Sequence, residues 1–102
     1  MAKEFEVRNA EEFETMIREG DLRISDAIVS TILKNLKSKK RHHHALSVIT
    51  LEDDAIYDIS IDKKDFYTTL VENLSKYERE ERYEECVKIK GAIDYLKSKN
   101  DK

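Results

Sequence analysis

The apolar residues of this chain change period twice, and that switch limits what it can fold into. From Asn9 to Leu36 they recur three and four residues apart, from Ala45 to Asp62 they alternate or run together, and from Phe66 to Leu96 the helical spacing returns. There is no proline, and the two glycines, Gly20 and Gly91, are the only flexible punctuation, so the connections must be short. The expected order is α, α, β, β, α, α. This is an α+β fold with two N-terminal helices, a central β-hairpin and a C-terminal antiparallel helical hairpin. A chain of 102 residues holds one modest core, so residues 1–102 form a single domain with parts at 1–44, 45–62 and 63–99.

Local chemistry sets the boundaries. Asn9 is a good N-cap with Glu12 three positions on, a capping box, and Phe13, Met16 and Ile17 share a face before Gly20 stops the helix as its C′ residue. A second helix is expected from Ser25 or Asp26, with Ile28, Val29, Ile32, Leu33 and Leu36 at helical spacing. Leu46 to Leu51 is apolar on both faces. Ala55, Tyr57, Ile59 and Ile61 alternate with Ile56, Asp58 and Ser60, and Glu52-Asp53-Asp54 forms the turn between the two runs. A lone two-stranded hairpin is marginal in water, so it must lie on the helices or pair across a dimer. Asp62 can cap a third helix carrying Phe66, Leu70, Leu74 and Tyr77. A fourth carries Tyr83, Cys86, Ile89, Ile93 and Leu96, and the loss of phase across "EREER" favours a hairpin over one long helix.

Charge is the second signal. The net charge is −3, but it is segregated: Lys34, Lys37, Lys39, Lys40 and Arg41 come without an acid among them, and Glu52, Asp53, Asp54, Asp58 and Asp62 follow. The stretch "KSKKRHHH" admits three readings. As a metal site it fails, because consecutive histidines splay apart and leave at most His42 and His44 able to share a ligand. As a nucleic-acid contact, Lys37, Lys39, Lys40, Arg41 and His42 would neutralise phosphates, with imidazoles able to stack on bases. As a helix end, the lysines suit the macrodipole and need no partner. The helix end, leading into a strand, is the reading preferred here.

Catalysis finds little support: no glycine-rich phosphate cradle, carboxylate pair or Ser-His-Asp order stands out, and Cys86 lies on an apolar stripe. No cofactor or metal is expected. A single cysteine forms no intrachain disulfide, which suits a reducing compartment. The first residues, Met1-Ala2-Lys3-Glu4, hold no leader-like apolar run and no stretch approaches a membrane span, so a soluble cytoplasmic chain without membrane contact is expected.

"YEECVKIKGAIDYL", Tyr83 to Leu96, resembles the UVR motif, a short helical-hairpin interaction module of nucleotide-excision-repair subunits and protein-arginine-kinase activators. Tyr83 and Glu84 match its opening, Cys86 and Val87 its small pair, Ile89 its branched apolar position, and Ile93 and Leu96 its end. Lys90 and Gly91 stand where the family has Arg-Asp. The whole chain also resembles the small accessory proteins of T-even-type tailed phages, the lysis-inhibition accessory proteins among them. These resemblances imply a non-catalytic protein-protein interaction module that regulates a partner, as a phage accessory or host-modulating factor would. It would bind a protein partner, and itself as a homodimer or higher oligomer, through Tyr77, Tyr83, Glu84, Cys86, Ile89, Lys90 and Ile93. The β-hairpin edge, Ser47 to Leu51 or Ile56 to Ile61, is a second expected surface, by strand addition. Nucleic-acid binding through Lys34 to His44 is the alternative.

Overall fold

The computed structural model describes residues 3–100; Met1 and Ala2, read above for a leader, lie outside the described residues. The chain is α+β as expected, with four helices and a sheet of three strands rather than two. Strand β1 (Lys3–Val7) precedes helices α1 (Ala10–Arg18) and α2 (Leu22–Lys34). Strands β2 (His42–Thr50) and β3 (Ala55–Asp62) follow. One 3-10 turn (Lys63–Asp65) leads to α3 (Phe66–Arg79) and α4 (Tyr83–Asn100). None of these helices is long and apolar enough to cross a membrane.

β1 corrects the expected order. It pairs parallel to β2, with Phe5 opposite Val48 and Val7 opposite Thr50, while β2 pairs antiparallel with β3. β2 is therefore the central strand and its backbone is spent on both sides. Strand addition along Ser47 to Leu51 is excluded by that pairing, which runs one step further as the Leu51 N–H donates to the Val7 carbonyl at 2.9 Å. The open edges belong to β1 and β3.

A bulge at Ala45 sets which side of β2 meets the helices. His44 lies opposite Ser60 but Leu46 lies opposite Ile59, so one extra residue shifts the phase. Leu46, Val48 and Thr50 then point inward and are buried. The opposite face carries Glu4, Glu6, His44, Ser47, Ile49, Ile56 and Asp58, following the strand register.

The helices cover one face. Ile24, Ala27, Val29 and Ile32 of α2 pack with Phe66, Leu70 and Tyr77 of α3 and with Cys86, Ile89, Ala92 and Ile93 of α4 in one core. The spacing of Cys86, Ile89, Ile93 and Leu96 puts them on a single stripe, so the hairpin buries its stripe as expected. Asn9 caps α1 by accepting from the Glu12 N–H at 3.0 Å, and Gly20 takes φ 69° at its end. Two boundaries differ from expectation. α2 begins at Leu22, capped by Asp21, whose carboxylate accepts from the Arg23 N–H at 2.9 Å; Ser25 and Asp26 lie within the helix. Asp62 caps the 3-10 turn by accepting from the Lys64 N–H, one turn before α3 proper.

The turn between α3 and α4 is made without glycine. Glu81 has φ 57°, the Glu81 N–H donates to the Glu78 carbonyl and the Arg82 N–H to the Tyr77 carbonyl, which closes a Schellman motif. Gly91 punctuates nothing: it sits exposed inside α4. The turn is anchored to α2 by Asp26. Its carboxylate accepts from the Tyr77 hydroxyl at 2.7 Å and from Arg82, whose guanidinium lies 5.0 Å from the centre of the Tyr77 ring.

Candidate functional site

The basic run does not behave as a helix end. α2 stops at Lys34 with Asn35 as its C-cap, so only Lys34 lies in the last turn, and Lys37, Lys39, Lys40 and Arg41 lie beyond it. The macrodipole explains Lys34 and leaves the other four to be explained by where the chain goes next. It turns through residues 35–41 and enters β2 at His42, passing the 3-10 turn and the C-terminal end of α4.

At that meeting point lies a cavity of about 530 Å³. Lys39, Arg41, Lys63, Lys64 and Lys99 line it, five cations from three separate parts of the chain, with Asp62 as the one acid. Its apolar wall is Leu36, Leu96 and Tyr67, the last 37% exposed. Two of the cations are tied down. Arg41 Nε donates to Asp62 Oδ2 at 3.0 Å, and Lys63 Nζ donates to the Ser38 carbonyl. Lys39, Lys64 and Lys99 have no carboxylate within ion-pair distance among the described residues. Asp62 is held below the usual carboxylate range, first by the Lys64 backbone N–H and then by Arg41, so it stays ionised and serves to orient Arg41. Beside the cavity, Lys37 and Lys99 reach Tyr95 with ammonium groups 5.9 and 5.6 Å from the ring centre.

The three histidines go separate ways. His43 is buried against Phe66, ring centres 5.6 Å apart, and its Nε2–H donates to the Lys40 carbonyl at 3.0 Å, which fixes the loop that carries Lys39 and Lys40. His42 is exposed, its Nδ1 3.9 Å from Asp62. His44 lies on the open face of the sheet. Among the described residues no three His, Cys, Asp or Glu side chains converge as a metal site would require.

The bulge at Ala45 also makes a cluster that sequence order did not reveal. It sets His44 beside Ser47, Nε2 to Oγ 3.1 Å, with Asp58 across the strand pair. The Ser47 hydroxyl donates to Asp58 Oδ1 at 2.6 Å, and the same His44 nitrogen lies 3.4 Å from that oxygen. Nucleophile activation needs the hydroxyl proton aimed at the imidazole and the other ring nitrogen held by a carboxylate. Here the proton goes to Asp58 and one nitrogen faces both groups. The cluster braces β2 against β3.

The residues expected to bind protein divide sharply. Tyr77, Cys86, Ile89 and Ile93 are core, none more than 9% exposed, so they build the hairpin and offer no surface. Tyr83, Glu84 and Lys90 are exposed, with Val87 at 70% beside them on the outer side of α4. Lys90 reaches Glu78 of α3 at 3.8 Å. Of the residues expected to contact nucleic acid, Lys39 and Arg41 line the cavity, while Lys37, Lys40 and His42 flank it in sequence. Lys63, Lys64, Lys99 and Tyr67 were missed; nothing in their sequence context separates them from solvated charges and an edge tyrosine.

No family model, curated protein or solved structure matches the chain. The functional reading therefore rests on the geometry.

Proposed function

We propose that this chain is a non-catalytic binding protein that holds single-stranded nucleic acid at the basic cavity. The observation that carries the reading is the convergence of five cations, from the segment after α2, the 3-10 turn and the end of α4, around one concave apolar wall. Cations neutralise phosphates whatever the sequence, and a recess walled by Leu36, Leu96 and Tyr67 accepts an unstacked base, which a duplex does not present. The acidic remainder of the chain confines a polyanion to this end. Lys39, Lys64 and Lys99 are assigned to phosphates, and Tyr67 to the base. Arg41, Lys63 and His43 hold the frame.

Anisotropy of a labelled twelve-nucleotide oligothymidylate tests this, with the duplex, free pyrophosphate and anionic vesicles as parallel arms. Micromolar binding of the single strand is expected, stronger than that of the other three. Replacing Lys39, Lys64 and Lys99 by Gln should weaken it at least tenfold and flatten the log-log salt dependence by about 2, at about 0.7 per lost contact. The melting temperature should stay put, since none of the three side chains supports the core. An unchanged salt slope in the triple variant defeats the proposal, and preference for vesicles moves the ligand to lipid.

A second reading, the self-associating interaction module, is favoured by Tyr83 and Val87, an exposed apolar pair four residues apart on α4. Light scattering at micromolar concentration would then give a species above the 12.0 kDa monomer. Val87→Lys should return it to monomer.

A further inference from the structure

The sheet has a second surface that the basic cavity does not explain. Among the described residues β3 pairs with β2 on one side only, so alternate N–H and C=O groups of its other side have no strand partner there. Between α1 and the helix-facing side of the sheet lies an apolar groove of about 360 Å³, lined by Phe13 and Ile17 of α1, Val48 and Thr50 of β2 and, from β3, Tyr57. Ile17 is 53% exposed and Tyr57 49%, so helix and strand leave the groove unfilled. Its one charged lining residue is the acid Glu14. Asp58 lies exposed on the other face of β3, and the preceding turn carries Glu52, Asp53 and Asp54, all exposed.

We infer that the free edge of β3 takes an extended, basic segment of a partner protein as a fourth strand. Backbone groups supply the pairing. The two-residue period of a strand supplies the specificity, because alternate side chains of an added strand fall on opposite faces. Those on the helix side fall beside Tyr57, where β3 borders the groove, and should be apolar. Those on the open side pass Asp58 and approach Asp53 and Asp54, and should be Lys or Arg. A second copy of β3 is a poor occupant, since it would set one acidic strand against another. The inference is independent of the nucleic-acid reading, because the groove and the cavity share no lining residue.

The test uses the full chain and two synthetic pools of twelve-residue peptides of equal composition. One alternates Val, Ile or Leu with Lys, Arg or Thr; the other has the same residues in shuffled order. The alternating pool should be retained at least tenfold more than the shuffled one. Its tightest member should slow amide exchange along β3 and lose at least tenfold in affinity when alternate backbone nitrogens are methylated. Ile17→Glu, a change at an already exposed position, should weaken the same peptide about tenfold without altering the fold. Equal retention of the two pools, tolerance of backbone methylation, or protection at the basic cavity instead of β3 would each overturn the inference.

Discussion

Tyr77→Phe removes one oxygen atom from the link between the helical hairpin and α2, and its cost can be worked out. The hydroxyl donates to Asp26 at 2.7 Å from a side chain that is 1% exposed. A hydrogen bond to a charged group contributes about 1.5–3 kcal/mol. Asp26 keeps Arg82 and about a third of its side-chain exposure, which places the loss near the lower end, about 1.5 kcal/mol. For a domain of this size that is a fall in Tm of about 6–12 °C. A pH arm separates this bond from simple packing. Burial first, and then Asp26, raise the Tyr77 pKa above its ordinary value. The unfolded chain then releases the phenolic proton while the folded chain retains it, so this contribution is complete below about pH 10 and is lost as pH rises toward the folded value. Wild type should lose stability relative to Tyr77→Phe above about pH 10, by at most about 1.4 kcal/mol per pH unit. Circular-dichroism melts of both proteins at neutral pH and between pH 9 and 11, with urea unfolding at each point, measure both effects. A Tm change below about 2 °C, or parallel stability curves above pH 10, would refute the argument that this hydroxyl clamps the hairpin.

Three further outcomes are expected. Gly91→Ala should stabilise the protein by about 1 kcal/mol, because the site is mid-helix and an added Cβ meets nothing within 4 Å; urea titration reads it. Glu81→Gly should raise the melting temperature by the equivalent of about 0.5–1 kcal/mol, since a left-handed backbone costs a side-chain-bearing residue about 1–2 kcal/mol and glycine returns part of that as unfolded-state entropy. Ile89→Asp should abolish cooperative unfolding and leave a molten chain by near-ultraviolet circular dichroism, because it places an unpaired charge at a position with 0% exposure.

Much of the scaffold was legible because its signals are local. Asn9, Gly20 and the stripe from Cys86 to Leu96 each carry their meaning within one or two turns of helix. β1 also carried a signal, the alternation Glu4-Phe5-Glu6-Val7, but the partner that makes it a strand lies beyond two helices. The start of α2 was misplaced because Asp26 looks like a cap, whereas Asp21 caps the helix and Asp26 serves the hairpin turn. The apolar stripe of α4 could be read either as a core or as a binding face. Periodicity is the same in both cases, and only packing against α2 and α3 decides. The basic cavity was half visible: Lys39 and Arg41 announced themselves by crowding, while Lys63, Lys64 and Lys99 reach it by tertiary placement.

The central position of β2 has a consequence for how the chain assembles. The β2–β3 and α3–α4 hairpins join neighbours in sequence and close small loops, whereas pairing Lys3 with Leu46 closes a loop that holds two helices, so β1 is expected to join the sheet last. Until then one side of β2, from Leu46 to Thr50, stands without its neighbour. Pulsed hydrogen exchange during refolding should find the amides of β1 protected last. In that interval the same apolar strand that forms the middle of the finished sheet is a transient edge, and crowding of newly made chains would favour joining β2 to β2 of another molecule.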